Sequence, residues 1–204
     1  MKIIRAGLSD LDIFSADELN RGACCFYTED RRNRYFFEIR GREATLFSNT
    51  EQYICQAIEE FLFYSGFVRT IKDKDGKSLI ARTLNEPYLY DICKIQPSQF
   101  FINEDKLHSC KTWIKGLEDV FIPIAIKDGI SISLDGHTRM RAALDLGFTS
   151  VYVYLDEYDE TIFHFVDEAV KRKVHSVVDM EIISADDYKV KWNKFCDDLF
   201  VSLE

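Results

Sequence analysis

The chain has 204 residues, of which 47% are hydrophobic and 30% are charged, and its formal net charge is −9. This composition supports a folded hydrophobic core and excludes a disordered or fibrous chain. No stretch approaches the roughly 18 consecutive apolar residues that a membrane helix needs, and the N-terminal segment carries acidic residues where a signal peptide needs an apolar run. We therefore expect a globular cytoplasmic protein that spans no membrane.

The acidic excess is confined to one part of the chain. Basic and acidic side chains balance over residues 1–84, whereas residues 85–204 carry the whole negative excess. Nucleic-acid binding is normally led by a basic surface, so DNA and RNA are not the expected partners. The six cysteines show no C-x-x-C pair and no zinc-type spacing, and we expect reduced thiols that are mostly buried.

Residues 1–84 predict a small α+β domain with the element order β-β-α-β-β. Two β-type runs flank the polar stretch 28–34, which is typical of a hairpin loop. Apolar residues at helical spacing follow, with Asn49 or Thr50 as the expected cap and Gly66 as the expected stop. The four expected strands lie at residues 23–27, 35–40, 67–71 and 78–82. The role of this domain stays open.

The remainder predicts a second domain, residues 85–156, with a helical extension, residues 157–204, packed on it. An Asp-Gly pair at 128–129 is typical of a tight hairpin turn, and Gly147 stands where a helix is expected to stop. In the extension, Ser184 is the expected cap of the last helix. The expected strands are 90–95, 121–126, 130–134 and 151–155, and the expected helices begin near Leu107, His137, Thr161 and Ser184.

The segment most able to carry chemistry is the loop after strand 130–134. Gly136 lets the backbone approach a ligand, and the first N–H groups of the next helix, with its dipole, form a seat for phosphate. Thr138 offers a hydroxyl and Arg139 a forked donor suited to phosphate, while Asp135 can hold a metal ion or accept a proton. The same residues are also compatible with a simple turn in which Asp135 caps the helix and Arg139 faces water.

This loop resembles the signature of the ParB/sulfiredoxin-like family. The resemblance lies in D-G-H-T-R at 135–139, R-A-A at 141–143 and L-G-F at 146–148. Upstream, I-Q-P-S-Q at 95–99 and I-P-I at 122–124 resemble the opening strand and a second strand of that family. The order and the spacing of these blocks agree with the family pattern.

The resemblance covers residues 88–156 and implies a mixed-sheet domain. The expected fold is therefore α+β: a small N-terminal α+β domain, a ParB/sulfiredoxin-like domain and a C-terminal helical extension. The tetrad at 136–139 differs from the G-E-R-R of ParB partition proteins and from the G-C-H-R of sulfiredoxins, whose catalytic cysteine would fall on His137. Plasmid partitioning and sulfiredoxin activity are therefore not expected.

The nearest spelling, D-G-H-[HT]-R, is similar to that of free serine kinases of this fold. That resemblance implies that Gly136, His137, Thr138 and Arg139 bind nucleotide phosphates and that Asp135 lies beside the transferred phosphoryl group or its Mg²⁺. The implied cofactors are ATP or ADP with Mg²⁺, and the implied acceptor is a small hydroxyl-bearing molecule such as an amino acid. The chain would then be a phosphotransferase.

An upstream carboxylate activates the acceptor hydroxyl in those kinases, and here Glu104 is the first candidate and Glu86 the second. A different reading is a non-enzymatic module that binds a nucleotide or a protein partner, and a homo-oligomer also stays open. The DNA-binding or nuclease activity of some ParB-like proteins is disfavoured by the net charge. An acidic cluster at 156–160 could hold a divalent ion, and a basic hairpin tip at 31–34 could contact a polyanion.

Overall fold

The computed structural model describes residues 1–7, 9–21 and 24–203. The chain is an α+β protein that divides into two compact units, Met1–Asn85 and Glu86–Glu204. The division falls one residue after the expected domain boundary, and the expected helical extension belongs to the second unit. Among the described residues, no helix is both long enough and apolar enough to cross a lipid bilayer.

The first unit is built on a six-stranded sheet. Its strands are β1 (Ile3–Arg5), β2 (Cys25–Thr28), β3 (Arg34–Arg40), β4 (Glu43–Ser48), β5 (Thr70–Asp73) and β6 (Ser78–Ala81), and its helices are α1 (Ala16–Asn20) and α2 (Ile54–Tyr64). The strands lie in sequence order, and only the β4–β5 pair, which α2 connects, is parallel. Ala57, Ile58 and Phe61 form the buried face of α2, where Phe61 stacks on Phe37 of β3 at 4.0 Å between ring centres.

The start of α2 differs from the prediction. Tyr53 precedes the helix in the left-handed conformation, and no side chain caps it. Asn49 instead serves the β2–β3 loop: its Oδ1 accepts from the Arg34 N–H at 2.9 Å, and its Nδ2 donates to the Arg32 carbonyl at 3.0 Å. The Oγ1 of Thr50, the other predicted cap, accepts from the Gln52 N–H at 3.1 Å. The helix therefore begins later than the capping rule indicates, because both predicted caps are engaged in turns.

Three elements of this unit, β1, α1 and β4, are not predicted by the sequence pattern. In β4, Ala44 and Leu46 are buried on one face with Thr45 between them, but the exposed apolar Phe47 interrupts the polar–apolar alternation. Helix α1 is one short turn held by a capping box between Ser15 and Glu18. The predicted strand 23–27 begins at Ala23, which lies outside the described residues.

The basic hairpin tip is neutralised within the first unit. Arg31 lies 3.3 Å from Asp10 and 2.8 Å from Asp12, and Arg34 lies 3.3 Å from Glu18. Arg32 lies 3.7 Å from Asp30, so four carboxylates accompany the arginines that a polyanion would have to use.

The second unit is built on a five-stranded mixed sheet with the strand order β7-β12-β10-β11-β8. These strands are β7 (Tyr88–Asp91), β8 (Ile95–Pro97), β10 (Phe121–Lys127), β11 (Ile130–Ser133) and β12 (Ser150–Leu155). A second, two-stranded sheet pairs β9 (Phe101–Asn103) with β13 (Glu181–Ile183) in parallel. The helices are α3 (Glu104–Trp113), α4 (His137–Asp145), α5 (Ile162–Lys171), α6 (Ala185–Tyr188) and α7 (Lys194–Leu203).

Several turn predictions are confirmed in this unit. Asp128 and Gly129, with φ of 52° and 78°, connect the antiparallel strands β10 and β11. Gly147 adopts a φ of 92° just after α4, and the Ser184 hydroxyl accepts from the Asp187 N–H at the start of α6. The predicted strand 90–95 is instead split, because the Asp91 side chain caps a 3-10 turn between β7 and β8.

One core joins the sheet of the second unit to its helices. Its fully buried residues include Ile95, Ile122, Ile124, Met140 and Val153. The predicted extension packs on the same core, through Trp192 and Phe195. The extension also contains a strand, β13, that was not predicted, and the turn Lys189–Asn193 between α6 and α7 is wound as a π-helix.

Candidate functional site

A tight turn at Gly136 joins β11 to α4. Gly136 has a φ of 84°, a conformation that side-chain-bearing residues rarely adopt. A Cβ atom at this position would lie 2.7 Å from Ile122 Cδ1 of β10. The backbone conformation therefore favours glycine, and a Cβ atom would also force the end of the buried Ile122 side chain to move. Glycine lets the chain pass sharply from the sheet into the helix.

The N-terminus of α4 has no capping side chain. Gly136 occupies the cap position, and the first main-chain bond of the helix runs from the Met140 N–H to the Gly136 carbonyl at 2.9 Å. The N–H groups of Thr138 and Arg139 have no acceptor within the described part of the chain. The helix therefore presents unsatisfied donors at the positive end of its dipole.

Arg139 and Asp135 form an ion pair across the turn, with 2.9 Å between Nη2 and Oδ2. The Arg139 side chain is 18% exposed, whereas that of Asp135 is 73% exposed. Desolvation opposes ionisation of Asp135, but the Arg139 charge and the Gly136 N–H together hold its pKa below the usual value. Asp135 is therefore an ionised counter-ion and a weak proton acceptor.

Helix α3 lies beside α4 and runs in the same direction. Near their C-terminal ends, Lys111 of α3 forms an ion pair with Asp145 of α4. At the opposite ends, the positive charge of Lys106 lowers the pKa of Asp135. The two helix N-termini therefore lie at the same end of the pair, where both dipoles and the charges of Lys106 and Arg139 favour an anion. The acids Glu104 and Asp105 in the first turn of α3 and Asp135 at the turn oppose that attraction.

The C-terminal segment contributes Tyr188 to this region. Lys106 Nζ lies 5.4 Å from the centre of the Tyr188 ring, within the range of a cation–π contact. The Tyr188 hydroxyl accepts from Gln99 Nε2 at 3.0 Å. Burial raises the pKa of Tyr188, and the negative charge of Asp135 adds to this effect. Tyr188 is therefore a neutral phenol beside the turn.

The side chain of His137 is directed into the unit. It is buried, and its Nε2 lies 3.1 Å from the Ser98 N and 2.9 Å from Ser133 Oγ. Burial lowers the pKa of His137 to about 4, although the Asp135 charge acts in the opposite direction. The imidazole is therefore neutral and contacts Ser98 and Ser133. Only the backbone N–H of His137 is then left to donate to an external anion.

The side chains of Glu104 and Thr138 form no hydrogen bond or ion pair with another described residue. Glu104 opens α3 with an exposed side chain. Residues two apart on a helix do not share a face, so Glu104 points away from the direction of Lys106. Thr138 is half-buried in the first turn of α4. Glu104 is therefore at the right end of α3, but no described contact joins it to the turn.

The residues at this turn do not fit a magnesium site. The described residues contain no group of three or more His, Cys, Asp or Glu side chains arranged to hold a metal ion, and this covers the acidic cluster at 156–160. Asp135 is paired with Arg139, whose positive charge repels a divalent cation. Magnesium prefers several oxygen ligands in a regular arrangement, which Asp135 does not supply.

Sequence reasoning missed Lys106 and Tyr188. Asn103 caps α3 through the Lys106 N–H at 3.0 Å, so an Asn-x-x-Lys helix start was the available signal for Lys106. No local pattern connects Tyr188 with residues 135–139, because the extension reaches them through the tertiary fold.

The fold and the site define an α+β protein with an uncapped helix start and an Arg139–Asp135 ion pair where the mixed sheet meets α4. No known family profile and no curated protein sequence matches the chain. Among solved structures, the chain is similar to the crystal structure of protein Atu1540 from Agrobacterium tumefaciens, with 14% identity and a TM-score of 0.35. The match covers 48% of this chain and 62% of that one, less than two thirds of its length. A similarity of this size carries no argument about fold or function.

Proposed function

We propose that the second unit binds a phosphate-bearing ligand, a nucleotide, at the turn between β11 and α4. The observation that carries this proposal is the convergence of the uncapped α4 N-terminus with Arg139 and Lys106. Free helix N–H groups and a forked guanidinium are the groups that recognise phosphate oxygens. The resemblance of residues 88–156 to the ParB/sulfiredoxin-like family supports the same position for the phosphates.

In this proposal Asp135 is the internal counter-ion of the site. Its exposed carboxylate rests on the largely buried Arg139, so a phosphate group that reaches Arg139 takes over that contact. The carboxylate then turns toward solvent, to which it is already open. Asp135 therefore sets the affinity of the site rather than holding a metal ion.

A narrower proposal is phosphoryl transfer from ATP or ADP to a small hydroxyl-bearing acceptor, with Glu104 accepting the hydroxyl proton. Phosphoryl transfer depends on positioning and charge neutralisation, and α3 carries Glu104 at the same end as the turn. Nucleotide binding without turnover, as a module for a protein partner, needs neither Glu104 nor Mg²⁺. The ion-paired Asp135 and the missing metal ligands among the described residues favour the binding module.

The proposal is tested by calorimetric titration of ATP, ADP and CTP, with and without Mg²⁺. Arg139→Gln removes a charge-assisted contact worth about 1.5–3 kcal/mol, so we expect its affinity to fall roughly 10- to 150-fold. The matched control is Lys94→Gln, which removes one positive charge from an exposed side chain elsewhere in the unit and should bind as the wild type does. Equal affinity of Arg139→Gln and the wild type would remove the site.

Turnover separates the two proposals that share this site. The wild type and Glu104→Gln are incubated with ATP or ADP, Mg²⁺ and a panel of amino acids and small alcohols, and phosphorylated product is measured. Turnover that falls in Glu104→Gln, with nucleotide affinity unchanged, supports phosphoryl transfer. Saturable binding without product over the whole panel supports the binding module.

A further inference from the structure

Three buried residues link two strand ends to the start of α4. Ser98 follows β8, Ser133 ends β11 and His137 opens α4, and all three are buried. The Ser98 hydroxyl donates to the Ser133 carbonyl at 2.7 Å. The Ser98 N–H meets His137 Nε2 at 3.1 Å, and Ser133 Oγ meets the same nitrogen at 2.9 Å. The imidazole therefore receives contacts from both strand ends through one atom.

The chemistry of these partners decides the protonation of the ring. A backbone N–H can only donate, so the nitrogen opposite Ser98 must accept. Nε2 of His137 is therefore unprotonated, and the neutral ring carries its hydrogen on Nδ1. With the hydrogen on Nε2, the buried Ser98 N–H would face another donor and remain unpaired. In the Nδ1–H form, Nε2 can also accept from the Ser133 hydroxyl at 2.9 Å, a contact that is shorter than the alternative from that hydroxyl to the Gln96 carbonyl at 3.4 Å.

We infer that His137 is a positioning residue, whose acceptor nitrogen fastens the first turn of α4 to the ends of β8 and β11. No side chain caps α4 at Gly136, so the contacts of His137 fix the position of the first turn of the helix. The direction of the Thr138 and Arg139 N–H groups depends on that position. The consequence for ligand binding rests on the proposed function, whereas the contact itself does not.

The contact is tested first without any ligand. Long-range ¹H–¹⁵N correlation spectra of the histidine rings at neutral pH report which nitrogen carries the hydrogen, and His137→Gln identifies the His137 signals by their loss. We expect the Nδ1–H form for His137 and solvent-averaged signals for the exposed His108, His164 and His175. An Nε2–H form of His137 would overturn the inference, whether or not the protein binds nucleotides.

The positioning role is tested by ATP titration of folded variants at neutral pH. We expect His137→Ala to lose at least tenfold in affinity and His137→Gln to recover to within threefold, because a glutamine oxygen can accept where Nε2 does. His164→Gln, at an exposed position, is the control and should match the wild type. If His137→Ala does not fold, Ser133→Ala replaces it, with an expected loss of about threefold.

The outcomes separate the inference from the function on which it rests. Full ATP affinity in His137→Ala, or in Ser133→Ala where that variant replaces it, would overturn the positioning role and leave the phosphate site in place. A wild type that binds no nucleotide would overturn the proposed function. The ring spectra would then still decide whether His137 makes the contact.

Discussion

At the scale of single residues, Asp135 distinguishes two kinds of site. If Asp135 were a metal ligand or a base, nucleotide binding or turnover would require its carboxylate. If it is an internal counter-ion, the carboxylate instead competes with the ligand for Arg139. Exposed ion pairs contribute about 0–1 kcal/mol, so we expect Asp135→Asn to raise nucleotide affinity by up to about fivefold. Calorimetry in Mg²⁺-free buffer checks this, and a loss of affinity would contradict the counter-ion role.

Lys106 is the second cation of the site, and its exposed side chain supports no part of the core. We expect Lys106→Gln to weaken ATP binding about two- to fivefold and to leave the melting temperature unchanged. The dependence of the affinity on salt concentration should also decrease, because one charge contact to the phosphates is lost. Lys94→Gln serves again as the control, and an unchanged salt dependence would place Lys106 outside the site.

At the scale of elements, the β11–α4 turn depends on one glycine, and Gly147 at the other end of α4 provides a matched comparison. Both have positive φ, but a Cβ at Gly136 would meet Ile122, whereas a Cβ at Gly147 meets nothing within 4 Å. Left-handed backbone costs a side-chain-bearing residue roughly 1–2 kcal/mol. We expect Gly147→Ala to lose about that much stability and Gly136→Ala to lose more, as measured by urea unfolding. Equal losses would show that the close approach to Ile122 does not matter.

Turn chemistry accounts for most of the fold that the sequence predicts. The Asp-Gly pair and Gly147 act through their own backbone, and the Ser184 hydroxyl acts on the N–H three residues further on, so their effects are visible locally. Elements that depend on distant partners are missed: β13 is three residues long and exists through its pairing with β9. The start of α2 is misplaced because Asn49 bonds to the neighbouring hairpin instead of capping a helix.

The residues of the candidate site also fall into two groups, those that the local sequence predicts and those that only the tertiary fold brings to the turn. Residues 135–139 are contiguous, so one turn motif predicts them together. Lys106 and Tyr188 reach the turn from two other segments, and no spacing rule connects them with it. Ser98 lies in the upstream block 95–99 of the family pattern, but that pattern does not indicate its contact with His137. The direction of the His137 side chain is also beyond sequence reasoning, because it depends on two serines at separate strand ends.

At the scale of the whole molecule, His137 makes stability depend on pH. Its pKa is lowered from 6.5 to about 4 in the folded state, so the unfolded chain binds the proton first on acidification. The stabilisation is complete above about pH 6.5 and is lost as the pH falls toward 4, by up to about 3 kcal/mol. Urea unfolding between pH 7 and pH 4 measures this. In His137→Gln that part of the acid loss should be absent, and an identical pH profile would refute the assignment.

The two compact units suggest a test of autonomy. The described core residues of the second unit begin at Tyr90, so residues 86–204 have a hydrophobic core of their own. We expect a chain of residues 86–204 to unfold cooperatively on heating and to bind ATP within about twofold of the full chain's affinity. A non-cooperative thermal transition would show that this core is insufficient alone.

The π-helical turn at Lys189–Asn193 changes the angle around the helix axis between the residues before it and those after it. Tyr188, before it, is oriented toward Lys106, and Phe195, after it, is oriented toward the core. If these five residues relaxed to α-helix at unchanged length, one aromatic ring would swing about 100° away from its partners. The π-helical turn therefore lets one helical run place Tyr188 beside Lys106 and Phe195 on the core.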